Sequence, residues 1–421
     1  VEGRPELRGE ARVLSAPLRA YAPEGWDDAR HWGVFLPLYA MHGERRAGAG
    51  DLGDLRTLMR WVAERGGSVV GTLPLLAAFL DEPFEWSPYA PASRLAWNEL
   101  YLHLESLPEY AGSPVARELY EGPQGLAERE RLASAPLVDY RAQMTLKRRV
   151  IAELAETCFA GSARRGALEA FAAERPELHG YARFRAVTDR ERKVWPHWPQ
   201  ALRDGTVRDG DFDPADHRAH LYAQWAMHEQ LAALRDEAPA GSLGLYLDLP
   251  VGVNGCGYDT WRHGDLYVRG LSTGAPPDTL FGGGQNWAFP PLHPEHLREQ
   301  GYGHLIEILR NHLRYAGVLR IDHVMGLHRL YVIPQGASAK EGIYIRYRPA
   351  ELYAILSIES HRARCLVVGE DLGTVPDAVR EAMIRHRVHK IHVVQYVTLR
   401  LLFPPEYVTG SAALAILLGA Y

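Results

Sequence analysis

Cysteine is scarce in this chain. Its 421 residues include three, Cys158, Cys256 and Cys365, far apart and in no CxxC spacing. A scattered odd set excludes a disulfide framework and a cysteine-built zinc site, and fits reduced thiols in a cytoplasm. A basic excess is missing as well: 47 Lys and Arg stand against 52 Asp and Glu, a net charge of −5. That balance does not point to a nucleic-acid partner and suits an uncharged substrate. No apolar run is long enough to span a bilayer, so no membrane partner is expected. Residues 1–30 carry Pro, Gly and charges but no apolar signal-peptide segment, which points to a cytoplasmic location. They also lack an initiator Met, as a fragment or a processed form would. The glycines of Gly48-Ala49-Gly50-Asp51 are not followed by Gly-Lys-Ser/Thr, so a phosphate loop is excluded.

What the chain does have is short apolar runs that end in carboxylates. Gly317-Val318-Leu319-Arg320-Ile321-Asp322-His323 follows a helical stretch, Tyr302 to Tyr315, and reads as a buried strand. Side chains alternate along a strand, so Arg320 and Asp322 share a face. Asp322 then stands at the carboxyl end, paired with an Arg two residues back. Alone, this reads more readily as a structural ion pair than as a nucleophile. A second run, Cys365-Leu366-Val367-Val368-Gly369-Glu370-Asp371, repeats the pattern and ends in Glu370. The residues between leave room for a crossover, so the two strands can be parallel neighbours. Two carboxylates at the carboxyl ends of neighbouring strands are what retaining glycoside chemistry needs: one attacks, the other donates and recovers a proton.

Other runs read as strands in the same way: Gly33 to Tyr39, Ser68 to Leu75, Gly241 to Pro250 and His389 to Thr398. Gly48 to Leu55 opens a helix running to about Glu64, with Asp54 near its start, where an acid suits the helix dipole. Pro88 and Pro91 stiffen the loop around Tyr89, which is either a packing aromatic or a sugar contact. From about Leu107 to Ala238 helical patterns dominate. The Trp195-Pro196-His197-Trp198 loop among them reads as capping their own core, with a sugar platform as the alternative. Asp248 near the end of Gly241–Pro250 reads as a turn or cap acid. The Gly-rich loop Gly252 to Ala288 is long enough to be functional, with Asp278, Phe281, Gln285 and Trp287 as candidate contacts.

Arg320-Ile321-Asp322-His323 and Gly369-Glu370-Asp371-Leu372-Gly373 resemble the fourth- and fifth-strand motifs of the 4-α-glucanotransferases (amylomaltases, glycoside hydrolase family 77). Ser87-Pro88-Tyr89, Gly274-Ala275-Pro276-Pro277-Asp278 and Gly284-Gln285-Asn286-Trp287 resemble further landmarks, in order, from about Trp32 to about Tyr396. The resemblance implies an α/β fold, a TIM-type (β/α)8 barrel with a large helical insertion at about 107–238. Residues 1–30 would be an N-terminal arm and 31–421 the catalytic barrel.

By the same resemblance, Asp322 is the nucleophile and Glu370 the acid/base. Arg320, His323, Asp248, Tyr89, Asp278 and Trp287 contact an α-1,4-glucan or maltooligosaccharide. No metal or organic cofactor is implied. The family also uses an Asp in a Thr-His-Asp motif after the seventh strand. Thr398 to Tyr421 contains neither His nor Asp. The C-terminal barrel units are therefore expected to be missing or divergent, and transfer by this chain to be weak or absent. An α-glucan hydrolase and a non-catalytic glucan-binding remnant are the alternatives.

Overall fold

The computed structural model describes residues 13–26, 30–43, 47–278 and 281–393. Six strands form one sheet: β1 (Gly33–Phe35), β2 (Val69–Gly71), β3 (Gly244–Leu249), β4 (Ala316–Ile321), β5 (Leu366–Gly369) and β6 (His389–Lys390). Their order in the sheet is their order in the chain, and every adjacent pair is parallel. A doubly wound sheet reverses order partway; a barrel does not. The winding is that of an α/β fold of TIM type. Residues 394–421, on which the expectation of missing or divergent C-terminal units falls, lie outside the described residues.

Proline sets where two of the strands stop. The runs read as Gly33–Tyr39 and Ser68–Leu75 end as strands at Phe35 and Gly71, shortly before Pro37 and Pro74. Proline has no N–H to give the ladder. Helices fill the crossovers: Leu52–Glu64, Pro214–Asp236, Gly303–Leu313, Pro349–Ala363 and Asp377–His386. The first is capped by Asp51, whose carboxylate accepts from Gly53 N at 2.8 Å, while Asp54 accepts from Asp51 N at 3.0 Å. This reciprocal pair satisfies donors that the first helical turn leaves unpaired.

The alternation along each strand separates two faces. Leu245, Leu247, Leu249, Leu319, Ile321 and Val367 join the main apolar core with helix residues such as Leu231, Ile308 and Leu356. Tyr246, Val318 and Leu366 form a separate cluster, with Ala22 and Trp26 of the N-terminal segment packed on it. Followed toward the carboxyl ends, this second face turns polar. Tyr246 gives way to Asp248, Val318 to Arg320 and Asp322, Leu366 to Val368 and Glu370.

Between β2 and β3 lie the helices Pro108–Gly112, Pro114–Glu121, Pro123–Ala133, Tyr140–Ala160, Ser162–Ala173 and Pro176–Glu191, followed by Pro214–Asp236. Most begin on proline, whose missing N–H costs nothing in a first turn. Trp195 and Trp198 are buried in a cluster with Phe184, Tyr258 and Trp261. A four-stranded antiparallel sheet, Ile343–Arg346, Arg329–Pro334, Leu271–Ala275 and Gln285–Asn286 in that order, is built from the segments after β3 and β4. Among the described residues no helix is long and apolar enough to cross a membrane.

Candidate active site

Strand register brings the carboxylates together. Asp248 pairs with Arg320 and Leu249 with Ile321 across β3 and β4; Arg320 pairs with Val368 and Ile321 with Gly369 across β4 and β5. Asp322 and Glu370 each follow directly on the last matched pair. The ladder continues through them: Asp322 N donates to Leu249 O at 3.0 Å, Glu370 N to Ile321 O at 2.9 Å, and Val324 N to Glu370 O at 3.0 Å. They are therefore neighbours on adjacent strands, whose spacing is about 5 Å.

Arg320 holds two acids at once. Its Nη2 lies 2.8 Å from Asp322 Oδ1, and its Nη1 lies 2.6 and 2.7 Å from the two Asp248 oxygens. The Tyr89 hydroxyl donates to Asp248 Oδ2 at 2.8 Å. Asp248 is 2% exposed. Burial pushes its carboxyl up, to about 6, against the pull of Arg320. It remains an anion at neutral pH and anchors the guanidinium. Burial beside Asp248 also raises the Tyr89 phenol, which keeps it a donor.

Glu370 occupies a different environment. Its Oε2 accepts from His323 N at 3.0 Å and its Oε1 from Leu372 N at 2.7 Å. Burial first, and then the charge of Asp322, push its carboxyl up to about 7; the two N–H donors only partly oppose this. Near neutrality it can both give and take a proton. His323 adopts φ 49° and ψ 62°, a left-handed conformation that costs a β-carbon-bearing residue about 1 kcal/mol or more. That turn carries the His323 N–H to Glu370. Burial holds its ring neutral, and the ring meets Trp287 edge-on at 5.1 Å.

Trp287 stands beside the short strand Gln285–Asn286; its N donates to Thr273 O at 2.9 Å and its indole Nε1 to Gln285 Oε1 at 3.2 Å. A cleft of about 400 Å³ is lined by Ser87, Tyr89, Ala90, Val251, Trp287, Phe289, Asp322, His323 and Glu370. Asp248 and Arg320 lie outside that lining, Asp248 buried behind Tyr89. Asp278 is on the loop beyond it: its carboxylate accepts from Phe281 N at 2.6 Å in a local turn. Val251 and Phe289 were not singled out in the sequence, because an apolar residue in a loop carries no chemical signature. Among the described residues no group of three or more His, Cys, Asp or Glu side chains is placed to hold a metal ion.

The sequence model of the 4-alpha-glucanotransferase family matches residues 36–410. A Haemophilus influenzae 4-alpha-glucanotransferase is 34% identical over 411 residues, covering 91% of this chain and 58% of that protein. One from Mycobacterium tuberculosis H37Rv is 35% identical over 397 residues, covering 90% and 54%. This chain thus spans a little over half the length of those relatives. Among solved structures, an amylomaltase from Corynebacterium glutamicum superposes with a TM-score of 0.80 at 30% identity, over 90% of this chain and 52% of the other. A Streptococcus agalactiae amylomaltase in complex with acarbose shares the fold, with a TM-score of 0.75 at 18% identity over 87% and 74%. By sequence and by fold, the chain belongs to the 4-alpha-glucanotransferase family.

Proposed function

We propose that the protein is a 4-α-glucanotransferase that moves α-1,4-glucan segments between maltooligosaccharides by retaining double displacement, in the cytoplasm. The observation that carries this reading is the register of Asp322 beside Glu370, with Arg320 bracing the first and burial holding the second near neutrality. Strand spacing fits the roughly 5 to 5.5 Å between carboxyl groups of retaining enzymes. The Asp322 carboxylate attacks the anomeric carbon while Glu370 gives its proton to the departing glycosidic oxygen. A β-linked glucosyl ester forms and the reducing-end segment leaves. The 4-hydroxyl of an acceptor then returns a proton to Glu370 and attacks the same carbon. A second inversion restores the α-linkage and frees Asp322.

The aromatic wall of Trp287, Phe289 and Tyr89 offers faces for glucose rings, and we assign it substrate contact. Arg320, His323 and Asp248 act on the reacting ring and its nucleophile, and Asp278 on a sugar bound further out. We read about 107–238 as the insertion that walls the groove. The acarbose complex of the Streptococcus agalactiae enzyme supports an oligosaccharide ligand for this cleft. The family's third carboxylate has no counterpart in residues 398–421, which lie outside the described residues.

Maltotriose tests the reading. Transfer yields glucose and longer chains with a constant number of reducing ends. A rising number of reducing ends means hydrolysis, and binding without products means a non-catalytic remnant. Arg320→Lys keeps the charge but cannot serve Asp248 and Asp322 together. It should lower kcat roughly a hundredfold or more, measured as glucose release. Trp287→Ala should instead raise KM about two- to tenfold, the worth of one aromatic face.

A further inference from the structure

A second buried polar assembly lies behind the cleft and joins two of its walls. Asp259 is 0% exposed; its Oδ1 accepts from the Ser93 hydroxyl at 2.6 Å and its Oδ2 from Arg94 N at 3.0 Å. Arg94, 4% exposed, donates from Nη1 to Val251 O at 3.2 Å and from Nη2 to the Tyr267 hydroxyl at 3.3 Å. Its own carbonyl accepts from Asn311 Nδ2 at 3.2 Å. The main chain follows the same line: Asn254 N donates to Pro91 O at 2.9 Å and Tyr258 N to Ala92 O at 2.6 Å. Gly257 permits that approach, since a β-carbon there would sit 2.3 Å from Ala92 O.

The two segments so joined follow β2 and β3. The first carries Ser87, Tyr89 and Ala90 of the cleft, the second Val251. Burying a carboxylate and a guanidinium is costly, and an apolar pair often serves stability as well or better. Such groups are informative when they fix geometry, and here the bonds of Asp259 and of the Arg94 side chain run between the two segments or to the elements behind them, while the Ser93 hydroxyl also accepts from Leu95 N at 3.0 Å within its own segment. The carboxylates do not depend on them, because Asp322 and Glu370 are set by the ladder of β3, β4 and β5.

We propose that Arg94, Asp259 and Ser93 are positioning residues that hold the Tyr89 and Val251 walls at a fixed separation, and so set how tightly the cleft grips sugar without acting on bond cleavage. The inference rests on the glucanotransferase reading for its substrate, but the clamp itself can be measured without turnover. The variants are Ser93→Ala, which removes one hydroxyl, Asp259→Asn and Arg94→Lys, each in the full chain.

Amide hydrogen exchange should rise about tenfold or more in 87–95 and 250–258 together, with β4 and β5 unchanged. Maltotriose KM, or its dissociation constant by calorimetry, should rise about tenfold while kcat stays within about threefold. Arg94→Lys should fall between wild type and Asp259→Asn, because lysine reaches one acceptor but not two. If Asp259→Asn does not fold, Ser93→Ala decides. Exchange that rises in one segment alone or in neither would overturn the proposal. So would a fall in kcat with unchanged binding. A wild-type chain without transfer refutes the function proposed above, and exchange and calorimetry still decide the clamp.

Discussion

Asp322→Asn should reduce glucan transfer to background, a loss of roughly ten-thousandfold or more where the starting rate allows it to be read. The amide matches the carboxylate in shape, so the cleft, the Arg320 fork and the strand ladder stay in place. What disappears is the oxygen that forms the ester to the anomeric carbon. Neither neighbouring acid can replace it: Asp248 is bound by both Arg320 and Tyr89 and is fully buried, and Glu370 is needed as the proton donor. Maltotriose binding should persist in the variant. Calorimetry beside the glucose assay separates a lost nucleophile from a lost fold.

Glu370→Gln should lower kcat/KM on maltotriose by roughly a hundred- to ten-thousandfold and change its pH dependence. In the wild type the useful form for the first step is the protonated acid. With its carboxyl pushed up to about 7, that form predominates below neutrality and declines tenfold per unit above it. Activity should therefore hold below about pH 7 and fall as pH rises further; the variant should lose this alkaline limb. A maltosyl fluoride needs no protonated leaving group, so its first step should largely recover in the variant.

The same shift has a stability consequence. The folded state keeps the proton up to about 7, whereas the ordinary value is 4.5, so stability falls as pH rises between them and stays lowered above. Glu370→Gln should accordingly melt higher than wild type at pH 8. No gain is expected at pH 4.

The carboxylate pair was legible in the sequence because each acid ends an apolar run too short and too β-branched to be anything but a strand. Their register was not legible. It is the pairing of Ile321 with Gly369, on neighbouring strands far apart in sequence, that sets Asp322 beside Glu370. The helix at Gly303–Leu313 could be read closely, as the stretch Tyr302 to Tyr315, since its periodicity is local. The antiparallel sheet at the mouth was read as a glycine-rich loop. Its strands Leu271–Ala275 and Gln285–Asn286 are short, carry Gly274 and few β-branched residues, and depend on pairing: Leu271–Ala275 lies between Arg329–Pro334 and Gln285–Asn286.

One site residue shows how little of a polar side chain's setting is legible when its partners are distant in sequence. Asp248 reads as a turn or cap acid in its own stretch and as a glucan contact through the family resemblance, and only the fold reveals the Arg320 and Tyr89 that surround it.

The central claim is that Asp322 carries the glucan between the two displacements. The direct measurement is covalent trapping, followed by peptide mass analysis. The full chain is incubated with a maltooligosaccharyl fluoride whose reacting ring bears an added fluorine, which slows release of the ester more than its formation. Tryptic digestion after Arg320 and Arg329 isolates residues 321–329, which contain Asp322 as their only acid. The account predicts that this peptide gains the mass of the fluorinated glucan, and that prior binding of maltotriose protects it. Labelling of Glu370 or Asp248 instead, or transfer that proceeds while 321–329 stays unmodified, would contradict it.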